Sequence, residues 1–196
     1  MSNKIHPIIH KLQINKNWKS KWFSNKLIKQ NILTDIKIRN IINTLLKNKI
    51  DDIIIEHTET AIIINLITSY QVAIKQLTQS LYKHLNIPIY INIIKTNKNT
   101  YTIHKIAKVI ATAIIKRQNY KTTIKNIIQK TNFRNIKGIK IIISGRINAA
   151  EIARTEKYTI GNVSLIQLTT KLLYKEQVIH TKYGLIGIKI IMSLIP

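Results

Sequence analysis

The feature that most constrains this chain is its charge. Its 196 residues include 32 lysines and arginines against 8 aspartates and glutamates, which gives a net charge of +24 at pH 7. Self-repulsion on this scale opposes a compact fold unless a polyanion neutralises it. The hydrophobic share of 45 % is nevertheless that of a chain with a packed core. We therefore expect a folded protein that binds either nucleic acid or an anionic lipid surface.

Composition excludes several other classes of protein. The chain has no cysteine, so it forms no disulfide framework, no cysteine–zinc site and no thiol nucleophile. We find no window of about 18 uncharged apolar residues that predicts a transmembrane helix. The N-terminus lacks the apolar core of a secretory signal and the arginines of an organelle presequence. Isoleucine, lysine and asparagine dominate the chain, and their AT-rich codons indicate an AT-biased genome, such as that of an organelle or an endosymbiont.

The N-terminal half predicts a helix, two strands, a helix and a strand. A helix is favoured over residues 34–46, with helical spacing of Ile38, Ile41, Ile42 and Leu45 and a cap from Thr34 or Asp35. The runs 50–58 and 60–68 predict two strands. The segment 71–85 favours a helix, with near-helical spacing of Val72, Ile74, Leu77, Leu81 and Leu85. Residues 86–95 predict another strand. The polar segment 96–100 is the expected boundary between a domain of residues 1–100 and one of residues 101–196.

The C-terminal half predicts two helices followed by strands. Residues 103–115 and 121–133 favour helices, the first with Ile103, Ile106, Val109, Ile110 and Ile114 facing inward. Residues 138–144 predict a strand. Residues 165–184 and 185–195 predict a final hairpin of two long strands.

An aromatic and basic cluster lies near the N-terminus. Both tryptophans, Trp18 and Trp22, occur there with Phe23 and several lysines. Two interpretations stay open at this point. The segment is either an arm that packs on its own domain or one that stacks its rings on RNA bases.

No pattern in the chain indicates an enzyme. The eight acidic residues are scattered, and ion pairing explains them better than acid–base catalysis does. His6 and His10 are four residues apart, but Pro7 lies between them and no glutamate accompanies them, so they do not form a metalloprotease motif. Phosphate-binding and dinucleotide-binding glycine motifs are absent. We expect no catalytic activity, no cofactor and no metal.

Two basic clusters are the better candidates for function. Lys121 and Lys125 lie four residues apart on the second C-terminal helix, and Lys116 and Arg117 precede it. Like charges at that spacing destabilise an isolated helix, which makes sense if phosphates lie across them; a merely solvated face is the alternative. The second cluster follows Gly145.

The stretch from Gly145 to Gly161, "GRINAAEIARTEKYTIG", contains small and charged residues in a chain rich in isoleucine. Small residues permit a close approach of the backbone to a neighbour. We expect a short helical turn near Glu151 that projects Arg154 and Lys157 beside Arg146, with the acidic residues orienting them. Arginine suits bidentate phosphate contacts.

This stretch and its flanks resemble a known family. "GIKIIISGRINAAEIARTEKYTIGNVSL", followed by "HTKYGLIGIKIIM", is similar to the C-terminal domain of small-subunit ribosomal protein three of the bacterial and organellar type. The N-terminal "NKIHPIIHKLQINKNWKSKWF" resembles the opening of the same family. The likeness therefore extends over nearly the whole chain.

The resemblance implies an α+β fold in two parts. The first is a type II K-homology-like domain, and the second packs two helices on a mostly antiparallel sheet. It implies a structural constituent of the head of the small ribosomal subunit, which binds rRNA and helps to form the tunnel through which mRNA enters. It also implies contacts with neighbouring head proteins of families ten and fourteen. In the family the mRNA-unwinding residues match Lys121 and Lys125, but this chain has Thr122 where another basic residue is frequent.

A second departure concerns the nucleotide clamp. K-homology domains hold nucleotides with a GxxG loop. The segment between the predicted second strand and the next helix is short and contains no glycine, so we expect the clamp to be missing. The chain's one GxxG, Gly184–Gly187, is interpreted as the start of a strand.

The residues expected to bind RNA combine these clusters with the N-terminal lysines. They are Lys4, Lys16, Lys19, Lys21, Lys116, Arg117, Lys121, Lys125, Arg146, Asn148, Arg154 and Lys157. The rival functions are a free RNA-binding protein outside the ribosome and a basic protein of a membrane surface. A mitochondrial matrix location is favoured over a plastid or an endosymbiont cytoplasm.

Overall fold

The structure is a computed structural model. It describes residues 6–12, 14, 17–46, 50–58, 60–68, 70, 74–85, 87–96, 102–130 and 136–195. The chain divides into two compact units, one of residues 18–99 and one of residues 100–196 together with residues 1–17. The first seventeen residues thus belong to the C-terminal unit, whereas the sequence assigned them to the N-terminal domain. We call the two parts the first unit and the C-terminal unit.

The first unit is built on a mixed four-stranded sheet. Its elements are β1 (Ser20–Lys21), α1 (Ile28–Leu46), β2 (Ile50–His57), β3 (Ile62–Thr68), α2 (Ile74–His84) and β4 (Ile89–Lys95). The strand order is β1-β2-β3-β4, with β2 and β3 antiparallel and both outer pairs parallel. The predicted order of helix, strand, strand, helix and strand is confirmed. The unit is consistent with the K-homology-like domain that the family resemblance implies.

The core of the first unit follows from simple periodicity. Side chains of β2 and β3 alternate between buried and half-buried positions, as a sheet covered on one face requires. Ile38 and Ile42 of α1 and Leu77 and Leu81 of α2 are buried against that face. Leu45, which the spacing placed inside, is half exposed because Leu46 takes the inner position.

The start of α1 differs from the prediction. The helix begins at Ile28, so Thr34 and Asp35 lie inside it and cap nothing. Asp35 is buried and accepts a hydrogen bond of 3.1 Å from Trp22 Nε1. Its other oxygen, Oδ1, lies 2.7 Å from His57 Nε2. A tertiary network therefore uses the carboxylate that the sequence assigned to a helix cap.

This network decides part of the question about the aromatic cluster. Trp22 is fastened to its own unit through Asp35, whereas Trp18 is largely exposed and Phe23 is 88 % exposed. One ring of the cluster is thus structural, and the other two remain accessible.

The junction expected to lack the clamp connects β3 to α2. β3 ends at Thr68 and α2 begins at Ile74, and none of the five residues between them is glycine. Of those five, only Tyr70 is among the described residues, so Val72 lies outside them. Gly184 opens the last strand, which confirms the interpretation of the chain's GxxG.

The C-terminal unit places two helices on one face of a second sheet. Its elements are α3 (Ile103–Ile115), α4 (Tyr120–Lys130), β5 (Ile136–Gly145), β6 (Arg154–Gly161), β7 (Leu172–Thr181) and β8 (Gly184–Leu194). The strand order is β6-β5-β8-β7, and every pair is antiparallel. This confirms the expected α+β architecture.

Alternation along the strands and helical spacing in α3 and α4 produce one core. Ile106 and Ile110 of α3 and Ile124 of α4 are buried against Ile141 and Ile188 of the sheet. Val109, predicted to face inward, is 38 % exposed. Ala107, Ala111 and Ala113 are buried on α3 instead, where small side chains let the helix lie close to its neighbours.

The final hairpin is shorter than predicted. β7 begins at Leu172, so residues 165–171 are irregular.

Thr170 in this irregular segment anchors the N-terminal residues, because Lys11 Nζ donates to its carbonyl oxygen at 2.9 Å and its hydroxyl at 2.6 Å. Lys11 is 2 % exposed, and burial lowers the pKa of its ammonium group. The ring of His6 meets that of Tyr174 edge-on, with centroids 4.5 Å apart.

Among the helices that the structure describes, none is both long and apolar enough to cross a membrane.

Candidate RNA interface

The stretch between Gly145 and Gly161 forms a tight turn and a strand. A short 3-10 turn covers Ile147–Ala149, and β6 follows from Arg154. The predicted helical turn near Glu151 is wrong. Glu151 lies in the irregular segment between Ala149 and Arg154. Eight residues of β6 pair with β5, from Gly145 opposite Arg154 to Gly138 opposite Gly161, so Arg154 and Lys157 belong to a strand and not to a helical turn.

The small residues of the stretch serve the turn itself. Asn148 and Ala149 both have left-handed backbone, with φ of 54° and 61°. Asparagine tolerates this region and alanine does so at a cost of about 1 kcal/mol. A Cβ on Gly145 would lie 2.7 Å from the carbonyl oxygen of Leu185. The close backbone approach expected from the small residues is therefore made to β8 of the same unit.

Arg146 is fixed between two turns of the C-terminal unit. Its Nε donates to the carbonyl oxygen of Ala150 at 2.7 Å, and its Nη1 lies 3.5 Å from that of Tyr183. The guanidinium carbon lies 6.0 Å from the centroid of the Tyr183 ring, within range of a cation–π contact. These contacts hold the guanidinium in one orientation while it remains half-buried.

Arg154 and Lys157 do not project together. Successive side chains of a strand point to opposite faces, so the three-residue spacing separates them. Arg154 lies on the helix-bearing face, where its Nε is 3.5 Å from Glu156 Oε1 and its side chain is 53 % exposed. Lys157 lies on the other face, opposite Ile142, which in turn pairs with Lys189. The expected grouping of Arg146, Arg154 and Lys157 is thus corrected by the strand.

Glu156 is the centre of the hydrogen bonds at this edge of the sheet. Its Oε2 accepts from the hydroxyls of Tyr158 at 2.7 Å and of Tyr120 at 2.9 Å. The bond from Tyr158 chiefly lowers the pKa of Glu156, with further lowering by Tyr120 and by the cations Lys121 and Arg154. Burial and the Glu156 carboxylate raise the pKa of both tyrosines. The Glu156 carboxylate stays ionised, and its hydrogen bond from Tyr120 connects the start of α4 to β6.

Four cations on α4 and the turn before it form what we call the helix cluster: Lys116, Arg117, Lys121 and Lys125. All four are exposed, and in the described parts of the chain no acidic side chain forms a salt bridge with them. Lys121 also lies in the first turn of α4, which has no acidic residue. A cation there is opposed by the helix dipole. These exposed cations therefore favour binding of an external anion over the alternative of a merely solvated helix face.

The turns at one end of the C-terminal sheet enclose a cavity of about 510 Å³. Among the described residues that line it, Arg117, Arg146 and Lys182 are cations, and none is an aspartate or glutamate. Asn148 and Tyr183 also contribute to its wall. We call this the turn pocket.

The turn pocket brings together some predicted residues and adds two that were missed. Arg117, Arg146 and Asn148 were predicted to bind RNA, whereas Lys182 and Tyr183 were not assigned. The signal was present in the sequence: a lysine and a tyrosine stand side by side just before the glycine that opens the last strand. Proteins that bind single-stranded nucleic acid combine a cationic groove with aromatic rings, so Lys182 and Tyr183 are further candidates for RNA contact.

The N-terminal lysines have different surroundings. Lys19 Nζ lies 2.7 Å from Asp52 Oδ1, and Lys21 Nζ lies 2.8 Å from Glu56 Oε1, where β1 runs beside β2. Their charges are already paired within the first unit. Lys4 and Lys16 lie outside the described residues. Over the part of the chain that the structure covers, no three ligating side chains gather into a metal site.

Two α+β units, one of them with an exposed row of cations, in a chain of net charge +24, are typical of the class of RNA-binding proteins. Residues 110–192 match the family described as ribosomal protein S3, C-terminal domain. The chain is 34 % identical to "Small ribosomal subunit protein uS3" of Thermosipho africanus, over 97 % of this chain and 96 % of that one. It is 35 % identical to proteins of the same description from Leptospira biflexa, over 97 % and 88 %, and from Campylobacter lari, over 97 % and 86 %. The chain belongs to the uS3 family.

Proposed function

We propose that this protein is a structural constituent of the small ribosomal subunit and that its C-terminal unit binds rRNA. The observation that carries the proposal is the helix cluster. Four exposed cations that form no salt bridge with any described residue, in a chain of net charge +24, are stabilised when phosphates neutralise them. The curated relatives support the proposal, since they are described as small-subunit ribosomal proteins and match almost the full length of this chain.

The proposal extends to the position of the protein within the subunit. From the family resemblance we place it in the head, beside proteins of families ten and fourteen, at the tunnel through which mRNA enters. Lys121 and Lys125 then face the mRNA path, with a weaker contact to mRNA because Thr122 stands where the family frequently has a third basic residue. The spacing of these two lysines on an exposed helix face supports this role.

The predicted RNA contacts are not equal in this proposal. Lys116, Arg117, Lys121 and Lys125 contribute most, because none of them forms a salt bridge with a described carboxylate. Lys157 contacts RNA on the face of the sheet opposite to Arg154. Lys19 and Lys21 contribute less, since Asp52 and Glu56 already neutralise them.

A free RNA-binding protein outside the ribosome is the second candidate. It needs a nucleotide clamp of its own, and the segment between β3 and α2 has no glycine to form a GxxG loop. We place it second for this reason.

We further propose that the ribosome concerned is mitochondrial. The support is compositional, because isoleucine, lysine and asparagine dominate as in AT-biased organelle genes. The relatives named above are bacterial. Detection of the chain in purified mitochondria, and not in plastids or the cytoplasm, is the expected result.

The test of the main proposal is sedimentation of an organelle lysate through a high-salt sucrose gradient. We expect the chain to migrate with the small subunit. Recovery at the top of the gradient, with intact ribosomes in the same tube, contradicts the proposal and favours the free RNA-binding protein. A tagged Lys121→Ala/Lys125→Ala variant should be released at lower salt than the wild type. Its matched control is Lys26→Ala/Lys29→Ala, which removes the same charge from exposed positions of the first unit.

A further inference from the structure

The turn pocket differs from the rest of the basic surface because it is concave. It lies where the α3–α4 turn, the 3-10 turn after β5 and the β7–β8 turn meet, all within the C-terminal unit. Its volume of about 510 Å³ is in the range of small-molecule sites. A contact with the outside of an RNA duplex requires only a flat cationic surface, so the cavity calls for a different ligand.

The chemistry of the pocket is divided between charge and apolar surface. Arg117, Arg146 and Lys182 supply positive charge without any lining carboxylate. Ile115 is 62 % exposed and supplies accessible apolar wall, whereas Ile143, Ile147 and Ile186 also line the cavity but are buried. A phosphate alone neutralises the cations of the pocket but makes no contact with its apolar wall. A ligand with both a phosphate and a flat apolar ring satisfies both.

Tyr183 supplies a surface on which such a ring can stack. Its side chain is 45 % exposed, so one face remains accessible. Arg146 is already held near this ring by its bonds to the carbonyl oxygens of Ala150 and Tyr183. The left-handed backbone of Asn148 and Arg117 curves the turns around the cavity. Little ordering is therefore needed when a ligand enters.

We propose that the turn pocket binds one unpaired RNA nucleotide, with its base against Tyr183 and its phosphate on Arg146 and Lys182. Single nucleotides that leave a helix are recognised in this way, by stacking on aromatic rings and by backbone contacts. The proposal rests on the RNA-binding function proposed above and adds a preference for a bulged or looped nucleotide over a continuous duplex.

The test is competition binding of the full chain to two RNA hairpins that differ in one nucleotide. One carries a single bulged adenosine in its stem, and the other has the same stem without it. We expect the bulged hairpin to bind more tightly by about fivefold or more, the lower end of what stacking one base contributes. A third hairpin with an abasic residue at the bulge keeps the phosphate and the bend but lacks the base, and should lose most of this preference.

Variants locate the preference in the pocket. Tyr183→Ala should abolish it, while Tyr183→Phe, which keeps the ring, should retain it. Lys125→Ala lies outside the pocket lining and should weaken binding to all hairpins equally. Equal binding of the first two hairpins by the wild type overturns the proposal, and so does a preference that survives in Tyr183→Ala. Either result leaves the gradient test untouched, because cosedimentation with the subunit does not depend on a bulge preference.

Discussion

The hydroxyl of Tyr120, the first residue of α4, donates a hydrogen bond of 2.9 Å to Glu156 Oε2 in the middle of β6. This bond joins two segments that both carry cations: Lys121 follows the tyrosine, and Arg154 and Lys157 flank the glutamate. Because the ring of Tyr120 is buried in the core, the bond fixes the first turn of α4 relative to the edge of the sheet. The basic surface is thereby attached to a rigid support.

Loss of this bond should destabilise the protein. Tyr120→Phe keeps the buried ring and removes one donor to a charged acceptor, which we expect to cost about 1.5 kcal/mol in the free energy of unfolding. Urea denaturation followed by circular dichroism measures it. Tyr90→Phe is the control, since Tyr90 is mostly exposed. Equal stability of the two variants contradicts the structural role of the bond.

The same carboxylate should make stability depend on acid pH. Hydrogen bonds from Tyr158 and Tyr120 hold the pKa of Glu156 below its ordinary value of 4.5. A group with a lowered pKa in the folded state stabilises it above the unfolded pKa and loses that contribution as pH falls through the folded value. We expect stability to decline below about pH 4.5, and Glu156→Gln to show a flatter decline. Thermal unfolding between pH 7 and pH 3 compares them, and parallel curves count against the prediction.

Gly161 should tolerate no side chain. Its φ is +70°, and an added Cβ would meet the carbonyl oxygen of Lys137 and come within 2.9 Å of the Cα of Gly138. Backbone conformation and close contact act together, so we expect Gly161→Ala to cost about 3 kcal/mol or more. Gly184→Ala separates the two causes, because Gly184 also has positive φ but open space around it. A cost for Gly161→Ala no larger than for Gly184→Ala would mean that the contact is harmless.

Ala149 offers the opposite change. Its left-handed backbone, with φ of 61°, is strained for alanine and free for glycine. Relief of that strain outweighs the added conformational freedom that glycine gives the unfolded chain. Ala149→Gly should therefore raise the free energy of unfolding by up to about 1 kcal/mol, and with it the melting temperature. Ala150→Gly is the neighbouring control at ordinary φ and should lower it. Differential scanning calorimetry decides, and a lower melting temperature for Ala149→Gly refutes the strain.

RNA affinity should fall steeply with salt, and the slope should identify the cations that contact phosphate. Each contact adds about 0.9 to the slope of log affinity against log salt concentration. We expect Lys121→Ala to reduce the slope by about that amount. Lys19→Ala should leave it nearly unchanged, because Asp52 already pairs with that ammonium group. Filter binding from low to moderate salt measures the slope for both variants. If the affinity of the wild type does not change with salt, the cations do not bind RNA through its phosphates.

Much of this protein could be predicted from local pattern. The alternation of β2 and β3, the spacing of Ile106 and Ile110, and the charge of +24 all specify elements, faces and the class of partner without reference to distant residues. The family motif in residues 138–165 carries the identification of the family for the same reason. Periodicity and composition are properties of neighbouring residues, which the sequence shows directly.

The tertiary structure alone decided the roles of individual polar residues. Asp35 was predicted to cap a helix and instead binds Trp22 and His57. Arg154 and Lys157 were predicted to point together, and pairing with β5 put them on opposite faces. Lys19 forms its ion pair with Asp52, 33 positions further along the chain.

The physical reason is that a polar side chain obtains its stabilising hydrogen bonds and ion pairs from the few groups that lie next to it in the folded protein, and these are often distant in sequence. The sequence determined how much apolar surface must be buried and how much positive charge must be neutralised, since both are sums over residues. Which carboxylate pairs with which cation, and which cations remain free for RNA, depends on the register of β5 with β6 and on the meeting of three turns at one pocket. Only the folded chain brings those groups together.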